Sequence, residues 1–213
     1  MSLTFLSYIP LVLELTTAII ALVMFKKYKF SNEKYFLYFL WYTFLIEIVG
    51  LILGEVILVN NFGVYNTFTI TSMLFYFYWY YSILKKPEFK KTVIIFSVIF
   101  SIVAFLSLCF ESWKVYHSYT FVTGAIFLVV LTLFHFYQLL NSNEVLIVKY
   151  KLSFWISTAL LLFYVGMIPL FFLMQYTGIV GISYQIILLS LNVILYGCYT
   201  TGFLWTKKEY NRF

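Results

Sequence analysis

Two glutamates stand in stretches where nearly everything else is apolar, and the chemistry of this chain would sit on them. Glu47 lies in the run from Tyr35 to Val59, YFLYFLWYTFLIEIVGLILGEVILV, and Glu14 lies in the apolar run near the start of the chain. A Gly50-x-x-x-Gly54 pair follows Glu47. On a helix of about 3.6 residues per turn, Glu47, Gly50 and Gly54 share one stripe. The glycines predict close approach of another helix backbone, which would turn Glu47 toward protein. An ionised side chain facing lipid would be costly. Counted along their helices, both glutamates are expected about halfway through the hydrocarbon. Thr17, Ala18 and Ala21 give the first helix a small-residue face near Glu14, expected to pack on the second helix. Two carboxyls meeting in low dielectric would not both carry charge. Such a pair could carry a proton or bind a cation or an amine. The competing reading is a protonated Glu hydrogen-bonded to Tyr or Thr as packing glue.

The last apolar stretch holds Gln185, Asn192, Tyr196 and Tyr199 at spacings of seven, four and three, which is one helical stripe. It should face other helices, either to contact a solute or to hydrogen-bond between helices with no ligand. The candidate binding set is therefore Glu14, Glu47, Asn192 and Tyr196, with no catalytic residue, metal ligand or cofactor expected. Glu55, Glu111, Lys114 and His117 are expected together at the outer surface, as an entrance or as a solvated rim. Every Lys lies in a loop or at a helix end, so none can hold a buried retinal Schiff base. The two histidines, His117 and His135, are too few for a His-rich hydrolase site or for paired haem ligation. No G-x-S-x-G, P-loop or Cys-x-x-Cys occurs.

The elements that must carry these groups follow from composition. The 213 residues are 63% hydrophobic and 10% charged, with mean hydropathy +0.95. A soluble domain needs more polar surface than that. At about 20 apolar residues per crossing, the chain accommodates seven transmembrane helices: about 3–25, 35–59, 65–84, 92–110, 118–140, 152–174 and 184–205. The expected fold is a single polytopic all-α membrane domain over residues 1–213. The N-terminus lacks a basic region and a small-x-small cleavage site, and reads as a retained first helix. Aromatic residues make up 23%, from AT-rich codon usage in a bacterial genome or from an aromatic-lined pocket. Tyr76, Tyr78, Trp79, Tyr80 and Tyr81 fit an interfacial belt at the inner end of the third helix, with a ligand cage as the alternative.

Charge sets the orientation. Of the 14 Lys and Arg, all but Lys114 fall on one side of the seven-span arrangement. That places the N-terminus outside and the C-terminus in the cytoplasm. The net charge of +6 is explained this way, without a nucleic-acid partner. Cys109 and Cys198 fall at different depths, with no disulfide or metal signature. A parallel three-plus-one-plus-three repeat is suggested by Ser7-Tyr8 with Ser31-Asn32-Glu33, matched by Ser118-Tyr119 with Ser142-Asn143-Glu144 at the same spacing of 22 residues. Parallel repeats occur in transporters, with the site between the halves.

Tyr8-Ile9-Pro10 with Glu14, Leu40-Trp41-Tyr42 with Glu47, and Phe154-Trp155-Ile156-Ser157 with Gly166 and Pro169 carry a resemblance. With them the chain resembles small seven-helix membrane proteins of AT-rich bacteria, which implies a multi-pass fold and no particular activity. By topology it is also similar to sugar-transporter-like and rhodopsin-like seven-helix proteins. It lacks a Pro-Gln pair and the retinal lysine, so neither family's functional residues carry over. The expected function is small-solute or proton-coupled transport in the bacterial inner membrane. The alternative is a receptor-like sensor or assembly subunit working through a membrane or cytoplasmic protein partner.

Overall fold

The computed structural model describes residues 3–142, 145–177 and 181–211. Among them are seven long α-helices and no strand: α1 (Leu3–Val23), α2 (Lys34–Leu51), α3 (Phe62–Ile83), α4 (Pro87–Phe110), α5 (Ser118–Leu140), α6 (Leu152–Thr177) and α7 (Ile182–Trp205). Five stretches are long and apolar enough to cross a membrane: Lys34–Val56, Pro87–Phe110, Ser118–Leu140, Leu152–Met174 and Ile182–Trp205. Asn66, Thr67, Thr69, Thr71 and Ser72 dilute the hydropathy of α3.

The expected helix starting at Thr92 begins instead at Pro87. Lys86 is extended, with φ −70° and ψ 130°, and Pro87 takes the first helical turn. A proline there loses no intrahelical hydrogen bond, and its fixed φ suits the helix. Lys90 and Lys91 consequently belong to α4 rather than to a loop. Helix α2 also differs from expectation. Its α-helical part stops at Leu51 and passes into a π-helical turn, Ile52–Val56. Leu58 then adopts φ 59°. Of the suggested repeat, Asn143 and Glu144 lie outside the described residues.

The chain divides into two compact units. One holds the chain through Trp41 together with the chain from Leu139 onward, and the other is Tyr42–Gln138. In the first unit, α7 packs against both α6 and α1. Gly202 makes the α6 contact close, since a Cβ there would fall 2.5 Å from Trp155 Cβ. The small-residue face of α1, expected against α2, meets α7: Ala18 and Ala21 are fully buried, and Thr17 Oγ1 lies 3.1 Å from Thr200 Oγ1. Past α1, the Tyr28 hydroxyl donates to the Ala21 carbonyl at 2.6 Å, and its ring meets Phe203 at 5.3 Å. Beyond α7 the tail is tied down. Lys207 N–H donates to the Tyr150 carbonyl at 3.2 Å, and the Asn211 amide donates to Thr206 Oγ1 at 2.7 Å.

In the second unit, α3 and α4 pack together, and α5 joins them. Phe96 stacks on Phe127 at 4.1 Å, and the Tyr80 hydroxyl lies 2.8 Å from Thr132 Oγ1. Of the five aromatics expected as a belt, Tyr76, Trp79 and Tyr80 are core residues, while Tyr78 and Tyr81 are exposed. A run of consecutive aromatics on a helix cannot share one face, because successive side chains turn about 100°.

Candidate functional site

Glu14 is 5% exposed, one of the most enclosed carboxyls among the described residues. Helix α1 is apolar around it, and α7 supplies the group that meets it. The Tyr196 hydroxyl donates to Glu14 Oε1 at 2.8 Å. One turn further along both helices comes the Thr17–Thr200 contact, and then Lys27 Nζ donates to the Leu204 carbonyl at 2.8 Å. Residue numbers rise together on α1 and α7 along this seam, so the two helices run parallel. Tyr196 is 5% exposed and its ring lies 6.1 Å from that of Tyr199. The phenol occupies Oε1 alone, so the carboxyl can take a proton on Oε2 and keep this bond.

The other members of the expected set each have surroundings of their own. Asn192 lies one turn before Tyr196, but its amide nitrogen donates to the Leu188 carbonyl of its own helix at 2.9 Å. Its oxygen is the end left for another group. Gln185, at the start of the same stripe, has a buried Oε1 with no hydrogen-bond partner. Glu47 belongs to the second unit. It is half-buried, and the side chain of Tyr65 on α3 is the polar group that acts on its carboxyl.

The glycines beside Glu47 do a different job from the one expected. A Cβ on Gly50 would fall 2.5 Å from the Tyr65 hydroxyl, and one on Gly54 would fall 2.9 Å from Asn61 Nδ2. The Asn61 amide also donates to the Gly50 carbonyl at 3.0 Å. The notch therefore receives two polar side chains from the segment that returns into α3, not another helix backbone. Gly50 clears the space through which the Tyr65 phenol reaches Glu47.

Two further groups differ from their sequence reading. His117, expected at the outer surface as part of an entrance or a solvated rim, is 2% exposed. Asn66 explains why: its Oδ1 accepts the His117 backbone N–H at 2.9 Å, and its Nδ2 donates to the Val115 carbonyl at 2.9 Å. Neither ring nitrogen of His117 has a hydrogen-bond partner, and neither does the buried Thr120 hydroxyl. Glu33, read only as part of a loop motif, is 3% exposed just before α2. Burial pushes its carboxyl above the usual range, while hydrogen bonds to Ser31 and to its own backbone, and the charge of Lys151, pull the other way. An acid directly before a helix favours the helix dipole, but no spacing in the sequence signals that it is enclosed.

Fold and site together define a helical, membrane-protein-like chain with a buried carboxyl–phenol hydrogen bond between α1 and α7. In comparison with known proteins, no family model, no curated protein and no solved structure matches the chain.

Proposed function

We propose that this chain is an integral protein of the bacterial inner membrane that crosses it seven times, N-terminus outside, and moves protons or a small solute coupled to them. Glu14 is the proton- or cation-binding group and Tyr196 its partner. Glu47, with Tyr65, is a second such group. Asn192 offers its free amide oxygen to solute on the Tyr196 face. The observation that carries this reading is the enclosure of Glu14 at 5% exposure with a phenol 2.8 Å away. Ionisable groups inside membrane helices are costly, and their usual reason for being there is a substrate or proton path. The orientation is supported by the connectors: the described Lys residues follow α1, α3, α5 and α7 or open the next helix, except Lys114 after α4.

The test uses purified protein in liposomes loaded with a pH-sensitive dye, with an imposed potassium diffusion potential. Wild-type vesicles should acidify faster than empty ones. Glu14→Gln should abolish the difference and Tyr196→Phe should reduce it. If Glu14→Gln and Glu47→Gln vesicles both acidify at the wild-type rate, the assignment is wrong.

A further inference from the structure

The second unit carries a groove that neither carboxyl site uses. It lies along α3 and α4, has a volume of about 640 Å³, and is lined by Phe77, Tyr78 and Tyr81 of α3 and by Ser97, Ser101 and Phe105 of α4. Its floor is low because α4 places two small residues one turn apart. Their hydroxyls face inward: Ser97 Oγ donates to the Val93 carbonyl at 2.8 Å and Ser101 Oγ to the Ser97 carbonyl at 2.7 Å. The floor thus presents no unmet hydrogen bond, which suits hydrocarbon and gives a polar ligand little to hold.

One end of the groove is cationic. Lys90 Nζ sits 5.1 Å from the centroid of Tyr81, a wall residue. Lys91 follows it in the first turns of α4 and is exposed. From Val93 to Phe105 the α4 wall runs about 18 Å at 1.5 Å per residue, close to the ~15 Å half-thickness of a bilayer core.

We propose that this groove is a binding site for one anionic phospholipid, an acyl chain lying between α3 and α4 and the headgroup phosphate on Lys90. The length matches one leaflet, the wall chemistry matches the chain, and the charge at the end matches the headgroup. Lysines at a membrane surface hold anionic lipid electrostatically, and long side chains reach the headgroup level from within the helix end. This inference concerns a different unit from Glu14 and needs only the membrane setting.

The experiment is native mass spectrometry of the full-length protein released from micelles doped with phosphatidylglycerol or with phosphatidylcholine of the same chains. One phosphatidylglycerol should be retained in preference to phosphatidylcholine. Lys90→Gln should cut that preference about fivefold, the share of one lysine. Ser101→Phe should reduce retention of both lipids by filling the floor, and Ser101→Leu serves if the larger side chain impairs folding. Equal retention of the two lipids, or a preference unchanged by Lys90→Gln, would overturn the proposal. So would a photo-crosslinker at position 101 that captures a second copy or another protein in the membrane instead of lipid.

Discussion

Replacing Tyr196 with Phe removes a single oxygen, and that oxygen is the 2.8 Å donor to Glu14. The ring keeps its packing, so the change isolates the hydrogen bond. Bonds to charged groups contribute about 1.5–3 kcal/mol in soluble proteins, while interhelical polar contacts in membrane proteins average about 0.6 and reach about 1.7 kcal/mol. Because both groups are 5% exposed, water does not replace the lost donor, and Tyr196→Phe alone should cost about 1–2 kcal/mol. Glu14→Met keeps a similar length and helix propensity while deleting the acceptor. In that background the phenol oxygen has lost its acceptor, so Tyr196→Phe should be close to neutral. The coupling read from the double-mutant cycle should therefore be about 1–2 kcal/mol, a factor of roughly five to thirty in the unfolding equilibrium. The assay is reversible unfolding of purified protein in mixed micelles, followed by far-ultraviolet circular dichroism. Equal costs for Tyr196→Phe in the wild-type and Glu14→Met backgrounds would refute the contact as an energetic link between α1 and α7.

Two further outcomes follow from local geometry. Glycine-to-alanine changes in α7 should split by position: Gly202→Ala should destabilise by about 1–3 kcal/mol through overpacking, since Trp155 Cβ lies 2.5 Å from the new methyl and is too near the backbone to swing away. Gly197→Ala, with nothing within 4 Å, should be neutral or stabilise by up to about 1 kcal/mol through helix propensity, and thermal denaturation compares them directly. Glu33 gives the pH dependence. Its carboxyl is raised in the folded chain by burial, so its contribution to stability is complete below the ordinary carboxylate range and is lost as pH rises through the folded value. Stability measured against pH should therefore fall less steeply in Glu33→Gln than in wild type, and an unchanged slope would show that Glu33 does not titrate differently on folding.

Composition alone determined that this chain is helical and apolar enough for lipid, because hydrophobic length is a one-dimensional quantity read directly along the sequence. It also picked out Glu14 and Tyr196, since a carboxyl and a polar stripe are conspicuous against apolar neighbours. What it could not decide was which polar group meets which. Glu14 meets Tyr196 across 182 residues, and the small-residue face of α1 lies on α7 because helix neighbours depend on how loops route the chain. The Gly50 notch looked like a seat for a helix, yet a π-turn and a residue at positive φ bring Tyr65 and Asn61 back into it. Glu33 was invisible as a buried acid because its enclosure depends on which segments fold over it, Lys151 among those near enough to act on its charge. Periodicity reports which side of a helix is polar, and only the packed structure says what stands opposite it, since hydrogen bonds and burial are set by distances between residues far apart in the chain.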